Sequence, residues 1–342
     1  MTKQTKGKPG TAAAASASAP DAYARITTRI VADLEQGVRP WCKPWSGDQL
    51  GARVTRPRRV NGKPYSGINT LLLWLEAVEK GHRSPTWMTY RQAQELGGQI
   101  RRGERGSQVV YMGETTKRRQ DDSTGEEREK GVRFLKTYTV FNVGQIDGLP
   151  DAFAIPSVTD APALPGPAPI EHAEAFFAAT RADIRHGGVQ AFYHAGADHI
   201  GMPPLAAFRD AESYYATLGH EACHWTRHPS RLDRSFGRKR WGDEGYAREE
   251  LVAELGAAFL AADLGLTLEP REDHAAYIAD WIEVLKGDKR AIFSAAAHAE
   301  RAVKFLHGLQ PGATAEAEAS EPEPEPEAEH RAAPARSFEA AA

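Results

Sequence analysis

Apolar residues recur at helical spacing in several stretches. Tyr23, Ile26, Ile30 and Leu34 line one face of residues 21–37, and Gly37 closes that helix. A second helix is predicted from Ile68 to Lys80, with Leu71, Leu72 and Leu75 inside and Gly81 at its end. Thr86 to Thr89 starts a short element, and Tyr90 to Leu96 reads as a helix stopped by Gly97-Gly98. Then the period changes. Ser107 to Met112 reads as a strand, and Arg133 to Asn142 alternates in the manner of a half-buried sheet. Between them, residues 115–131 are charged and lack periodic apolar positions, so a mobile hairpin loop is expected there.

Residues 150–169 are rich in proline and alanine and read as a linker. A helix is expected over 170–186, built on His172, Phe176, Phe177 and Ile184, and two short strands over 189–194 and 197–202. Helical patterns return near Glu212 to Arg227, from Arg248 to Leu264, and over 274–285 and 288–306. The pattern gives an α+β chain: a mixed α/β part over 21–149 and a mainly helical part over 170–309. Residues 1–20 and the acidic stretch 310–342 are expected to be disordered tails.

Composition narrows the function. The chain has 342 residues and no run of eighteen apolar positions, so no membrane partner is expected. Cys42 and Cys223 are the only cysteines, which argues against a disulfide framework and for the cytoplasm. Cys223 reads as a small buried apolar residue. The net charge of −3 hides an asymmetry, because basic residues concentrate before position 150 and acidic ones after 310. In the basic part, cations interleave with aromatics: Trp41, Lys43, Trp45, Arg56, Arg58, Arg59, Lys63, Tyr65, Trp87, Tyr90, Arg101, Arg102 and Arg105. Cations can follow phosphates while aromatic faces stack on splayed bases, which is the chemistry of single-stranded nucleic-acid binding. Trp74, inside the leucine helix, reads as core; for Trp41 and Trp45 core and stacking are both open.

The sharpest motif is His220-Glu221-Ala222-Cys223-His224. On a helix, four-residue spacing puts both imidazoles on one face, where they can grip one divalent ion with Glu221 beside its water. A third ligand is needed, and the Arg248–Leu264 helix offers Glu250, with Glu249 in reserve on another face. Glu254, four residues on, is expected to orient a ligand histidine through its free ring N–H. Zinc is the expected ion, with manganese the alternative. Glu221 is the expected general base, and Tyr193 or Tyr214 a candidate oxyanion donor. His194 and His199 are expected to be structural.

Together these residues resemble the ArdC-type antirestriction proteins of conjugative plasmids and phages. The likeness rests on N-G-K-P-Y-S-G-I-N at 61–69, T-W-M-T-Y-R-Q-A at 86–93, G-E-R-G-S-Q-V-V-Y at 103–111 and L-G-H-E-A-C-H-W-T at 218–226. It continues in R-L-D-R at 231–234, E-E-L-V-A-E-L-G-A-A-F-L at 249–260 and D-K-R-A-I-F at 288–293. The resemblance implies a single-stranded-DNA-binding domain followed by a zincin-like metallopeptidase domain that protects mobile-element DNA from host restriction. It implies His220, His224 and Glu250 as metal ligands and Glu221 as catalytic base, with a protein substrate or a restriction enzyme as further partners. Two other readings stand beside it: a DNA-coating protein with a structural metal, and an effector protease docking on acidic partners.

Overall fold

The computed structural model describes residues 22–39, 41, 55–120, 127–153, 168–237, 244–266 and 275–313. Helix α1 (Ala22–Glu35) buries Ile26, Ile30, Val31 and Leu34, the face its periodicity predicts. After strand β1 (Arg58–Arg59), helix α2 (Ile68–Lys80) ends at Gly81, whose left-handed backbone (φ 66°) turns its N–H back onto the last carbonyls. Strand β2 (Thr86–Met88) leads into α3 (Tyr90–Glu95), which begins at a reciprocal Thr89–Gln92 capping box. Strands β3 (Gln99–Ile100), β4 (Ser107–Gln120), β5 (Glu127–Asn142) and β6 (Ile146–Asp147) follow.

One sheet has the order β1-β2-β5-β4, and β3 pairs with β6 in a second. The edge strand β4 is met from α2 by buried Asn69. Its amide donates to the Val110 carbonyl, and its oxygen accepts the Val110 N–H, both at 2.8 Å. That pairing satisfies an edge that would otherwise leave buried backbone groups unbonded. The β4–β5 ladder runs from Ser107↔Val140 to Gln120↔Glu127. Much of the stretch expected to be a loop is therefore paired ribbon. Backbone hydrogen bonds hold such a ribbon whether or not its side chains alternate, so apolar periodicity does not reveal it.

In the second half, α4 (Ala168–Thr180) stops six residues short of the predicted helix. Arg181 takes a left-handed backbone (φ 55°), and the chain continues as β7 (Asp183–His186), which pairs in parallel with β9 (His199–Met202). Strand β8 (Phe192–His194) completes a sheet of order β7-β9-β8. Four helices then assemble: α5 (Ala211–Trp225), α6 (Glu244–Leu264), α7 (Ala275–Gly287) and α8 (Ala291–Gly308). Residues 249–262 of α6 are buried on every face, because α4, α5, α7 and α8 all pack on this helix. No helix among the described residues is long and apolar enough to cross a membrane.

The main core is continuous across the two halves. Trp74 of α2 packs on Phe259 of α6 (centroids 5.9 Å apart), and α1 packs along α7. Trp41 is fully buried against Trp281 of α7, edge to face at 5.9 Å. Trp87 and Tyr65 are also buried, in a smaller cluster with Leu73, Val109 and Val140. These three aromatics are core and have no face free to stack on a base. Large rings near cations in sequence were drawn inward because each buries much apolar area.

Arg56 corrects the reading in the same way. It is 4% exposed and reaches across the halves, donating to Glu300 on α8 at 2.7 Å and to Asp263 on α6 at 3.0 Å. Its guanidinium also lies over the Phe259 ring at 4.7 Å. Lys43 and Trp45 lie outside the described residues. Arg56→Met strips two carboxylates of their cation and is expected to cost about 3 kcal/mol of unfolding free energy. A denaturant melt checks this, and adding Glu300→Met should recover part of the loss. A cost below about 1 kcal/mol would mean the pair is solvated.

Candidate metal centre

Asp210 caps α5, its carboxylate accepting the Ser213 N–H at 2.7 Å. His220 and His224 then fall on consecutive turns of one face near the other end of the helix, both buried. Across from them, α6 presents Glu250. His220 Nε2 lies 3.1 Å from His224 Nε2, and each nitrogen lies 3.5 Å from a Glu250 carboxylate oxygen. Bonds of about 2.0–2.2 Å to a tetrahedral ion set ligand atoms roughly 3.3–3.6 Å apart. The two nitrogen–oxygen edges fall in that range and the nitrogen–nitrogen edge is about 0.2 Å shorter; the nitrogen-nitrogen-oxygen donor set suits zinc or manganese. Among the described residues, these three are the group of His, Cys, Asp and Glu side chains close enough to share an ion. Glu221 sits between the histidines on the same helix and is buried with them, 5% exposed.

Close helix contact makes this arrangement possible. A Cβ placed on Gly256 of α6 would come 2.5 Å from Cys223 Sγ on α5. Glycine inside a helix costs about 1 kcal/mol relative to alanine, and here it admits a neighbouring side chain. Burial pushes the Cys223 thiol up to about 12, so it remains a protonated packing group, as its sequence setting implies.

Glu249, held in reserve as a ligand, has a different place. Its Oε1 lies 3.1 Å from His224 Nδ1, while Arg234 grips the same carboxylate through two nitrogens at 2.7 and 2.9 Å. Glu249 thus gives His224 an orienting contact of the kind expected of Glu254, and Glu254 is itself buried further along α6. Burial alone would raise the Glu249 carboxyl, but Arg234 and His224 hold it below the usual carboxylate range. Arg234 also donates to the Cys223 carbonyl at 2.9 Å and to Thr226 Oγ1 at 3.1 Å. Its neighbour Arg231 turns the other way, onto Asp198 and the face of Trp225. The R-L-D-R segment therefore clamps the metal helix on one side and the β8–β9 turn on the other.

Sequence reasoning missed Arg234, whose burial depends on tertiary contacts. Tyr246, one turn before Glu250 on α6, pairs its hydroxyl with that of Tyr277 on α7 at 2.9 Å. The two tyrosines proposed as oxyanion donors are engaged elsewhere. Tyr193 donates to Asp198 at 2.9 Å, and Tyr214 lies 2.7 Å from His186 Nε2. His194 accepts the Ala197 N–H and stacks on His199, a structural pair.

The acidic surroundings control protonation. Burial disfavours a charged His224, but Glu250 and Glu249 outweigh it and push this imidazole up to about 10. Burial likewise works to raise Glu250, and His224 with His220 overcomes it, holding the carboxyl far below its usual range. A metal ligand must be neutral imidazole, so ion uptake at pH 8 has to displace the His224 proton. Release of about one proton per ion is expected. Calorimetry in buffers of different ionisation heat reads it, and proton-free uptake would show that His224 is already neutral at this pH.

The other cations of the basic half divide by exposure. Arg58, Lys63, Arg101, Arg102 and Arg105 are exposed, and Tyr90 is 43% exposed. Arg59 is half-buried over the Tyr65 ring, and Arg101 is paired with Glu104 at 2.9 Å.

Comparison with known proteins agrees with this geometry. Residues 20–141 match the N-terminal domain of anti-restriction factor ArdC, and residues 171–298 match the zincin-like metallopeptidase family. The metal-free crystal structure of the antirestriction ArdC protein from the R388 plasmid is 47% identical. It superimposes with a TM-score of 0.70 over 84% of this chain and 97% of that one. The Mn(II)-bound structure gives 44% and 0.68, over 84% and 98%. The uncharacterized protein y4eC of Sinorhizobium fredii (strain NBRC 101917 / NGR234) is 43% identical over 86% of this chain and 94% of its own length. The DNA primase TraC of Escherichia coli is 38% identical over 83% of this chain, which spans only 27% of that larger protein. With both halves matched and whole relatives covered at this identity, the chain belongs to the ArdC antirestriction family.

Proposed function

We propose that this protein binds single-stranded DNA through its basic half and carries a metal-dependent peptide hydrolase site. Together they protect incoming mobile-element DNA from restriction. The observation that carries the hydrolase reading is the buried His220–His224–Glu250 triangle with Glu221 in the same helix turn. An ion held by those three side chains would supply Lewis acidity towards a water and a carbonyl oxygen. Glu221 then accepts the water's proton on its carboxylate and passes it to the departing amine. Glu249, fixed by Arg234, keeps the His224 ring oriented. The Mn(II)-bound structure of the R388 protein supports a divalent ion here; zinc is the expected ion and manganese the alternative.

For DNA, the proposed contacts are Arg58, Lys63, Arg101, Arg102 and Arg105, with Arg59 beside them and Tyr90 as the exposed stacking ring. With the buried aromatics removed from the set, phosphate contacts dominate, so binding should be strongly salt-dependent and little affected by sequence. The relatives named as antirestriction protein and DNA primase both belong to DNA metabolism, which supports this partner.

Two experiments on the full chain test these readings. Glu221→Gln should retain the metal but lose hydrolysis of fluorescein-labelled casein by about 100-fold or more. Equal hydrolysis by the two proteins would remove Glu221 as the base. Anisotropy of labelled single- and double-stranded oligonucleotides over a salt series tests the DNA reading. Charge reversal at Arg58, Lys63 and Arg102 should weaken single-strand binding and flatten the log–log salt slope by about 0.7 per lost phosphate contact. Unchanged affinity and slope would place the interface elsewhere.

A further inference from the structure

Helix α8 ends close to the basic half. His307, in its last turn, has Nε2 3.1 Å from Asp263 Oδ2, and Asp263 is one of the two carboxylates on Arg56, at 2.9 and 3.0 Å. Arg56 stands two residues before Arg58 of β1. The backbone then reverses at Asn61-Gly62, where the Arg59 N–H donates to the Lys63 carbonyl at 2.9 Å, so Arg58 and Lys63 flank one short turn. Both are exposed, and among the described residues neither side chain has a carboxylate partner. Six residues after His307 the described chain ends, at Ala313. Beyond it, residues 316–329 hold seven glutamates and no cation, with Pro322, Pro324 and Pro326 between them. This acidic stretch lies past residue 298, where the family match ends.

We propose that the acidic stretch 316–329 docks on the turn bearing Arg58 and Lys63, and so competes with DNA for these cations. Reach and charge both argue for it. From Ala313 to Glu329 is sixteen residues, and a coil of that length spans about 20–24 Å. Tethering at such a distance gives an effective concentration on the order of millimolar. Exposed ion pairs are weak singly and are screened by salt, so it is the tether that makes them count. From Glu321 to Glu329 every second residue is acidic, which in an extended chain sets one charge about every 7 Å. A DNA strand presents one about every 3.4 Å. The tail is therefore the weaker polyanion, and DNA displaces it. If the tail holds the turn in roughly three-quarters to nine-tenths of molecules, apparent DNA affinity falls about four- to tenfold. The competition rests on the DNA reading above; the docking does not.

The test uses the full chain in about 50 mM salt with a water-soluble carbodiimide, which condenses a touching carboxylate and amine into an amide. Peptide mass spectrometry should find Lys63 joined to glutamates of 316–329 within single chains, as judged from a mixture of isotope-labelled and unlabelled protein. The yield should drop in about 0.5 M salt and on adding excess oligothymidine. Lys304, exposed on α8 itself, serves as the reference for links made by proximity alone. Links to Lys304 with none to Lys63 overturn the proposal, as do Lys63 links that join only different chains. A Lys63 link that survives saturating oligothymidine overturns the competition. Replacing the seven glutamates with glutamine should strengthen oligothymidine binding about four- to tenfold at low salt and change nothing in about 0.5 M salt. The same gain without a Lys63 link in the wild type marks general repulsion and overturns the docking. If the chain binds no oligonucleotide yet Lys63 still links to the tail, the docking stands and the DNA reading falls.

Discussion

The approach of α5 to α6 at Gly256 is the constraint on which the site depends. A helix pair held further apart could still bury its apolar faces with larger side chains, but Glu250 would no longer reach two imidazoles on the opposite helix. Here the Cys223 sulfur occupies the space that a Cβ on Gly256 would need. The first carboxylate of the Glu249–Glu250 pair can then bond His224 Nδ1 while the second faces both Nε2 atoms. Adjacent residues on a helix point about 100° apart. Serving two different atoms of one histidine therefore requires that ring to lie between them, which the short interhelical distance enforces.

Charge compensation is the second condition. Glu249 and Glu250 are buried against two imidazoles, a concentration of carboxylates that low-dielectric surroundings oppose. Arg234 relieves part of it from within the protein, with a side chain only 1% exposed and its Nε and Nη2 both on Glu249. A divalent cation would relieve the remainder. The same carboxylates that make an empty centre costly make a filled one tight, so affinity for the ion and instability without it share one origin.

How much of this was legible in the sequence follows from which interactions are local. His220, Glu221 and His224 announce themselves because helical periodicity alone puts them together. Glu250 follows by the same logic, yet the contact of Glu249 with His224 does not, since it turns on the relative rotation of two helices. Arg234 could not be read locally, because a loop arginine becomes a buried clamp only through the chain's return across Thr226. The aromatic residues show the opposite error: Trp41, Tyr65 and Trp87 lie among cations in sequence but are buried in the core in space. Composition records which side chains are near along the chain, and a ring's large apolar area decides which way it turns.

The shared core also shapes how the chain must reach its native state. Trp41 and the apolar face of α1 emerge early from a ribosome, while their partners on α7 come some 240 positions later, the distance from Trp41 to Trp281. At synthesis rates of about 5–20 residues per second, that interval is roughly 10–50 s. Through this time the nascent chain carries an unpaired tryptophan and a bare helix face, the kind of surface that chaperones bind. Folding of the first half is thus coupled to completion of the second, and neither the basic surface nor the metal triangle reaches its final form before the last helices are made.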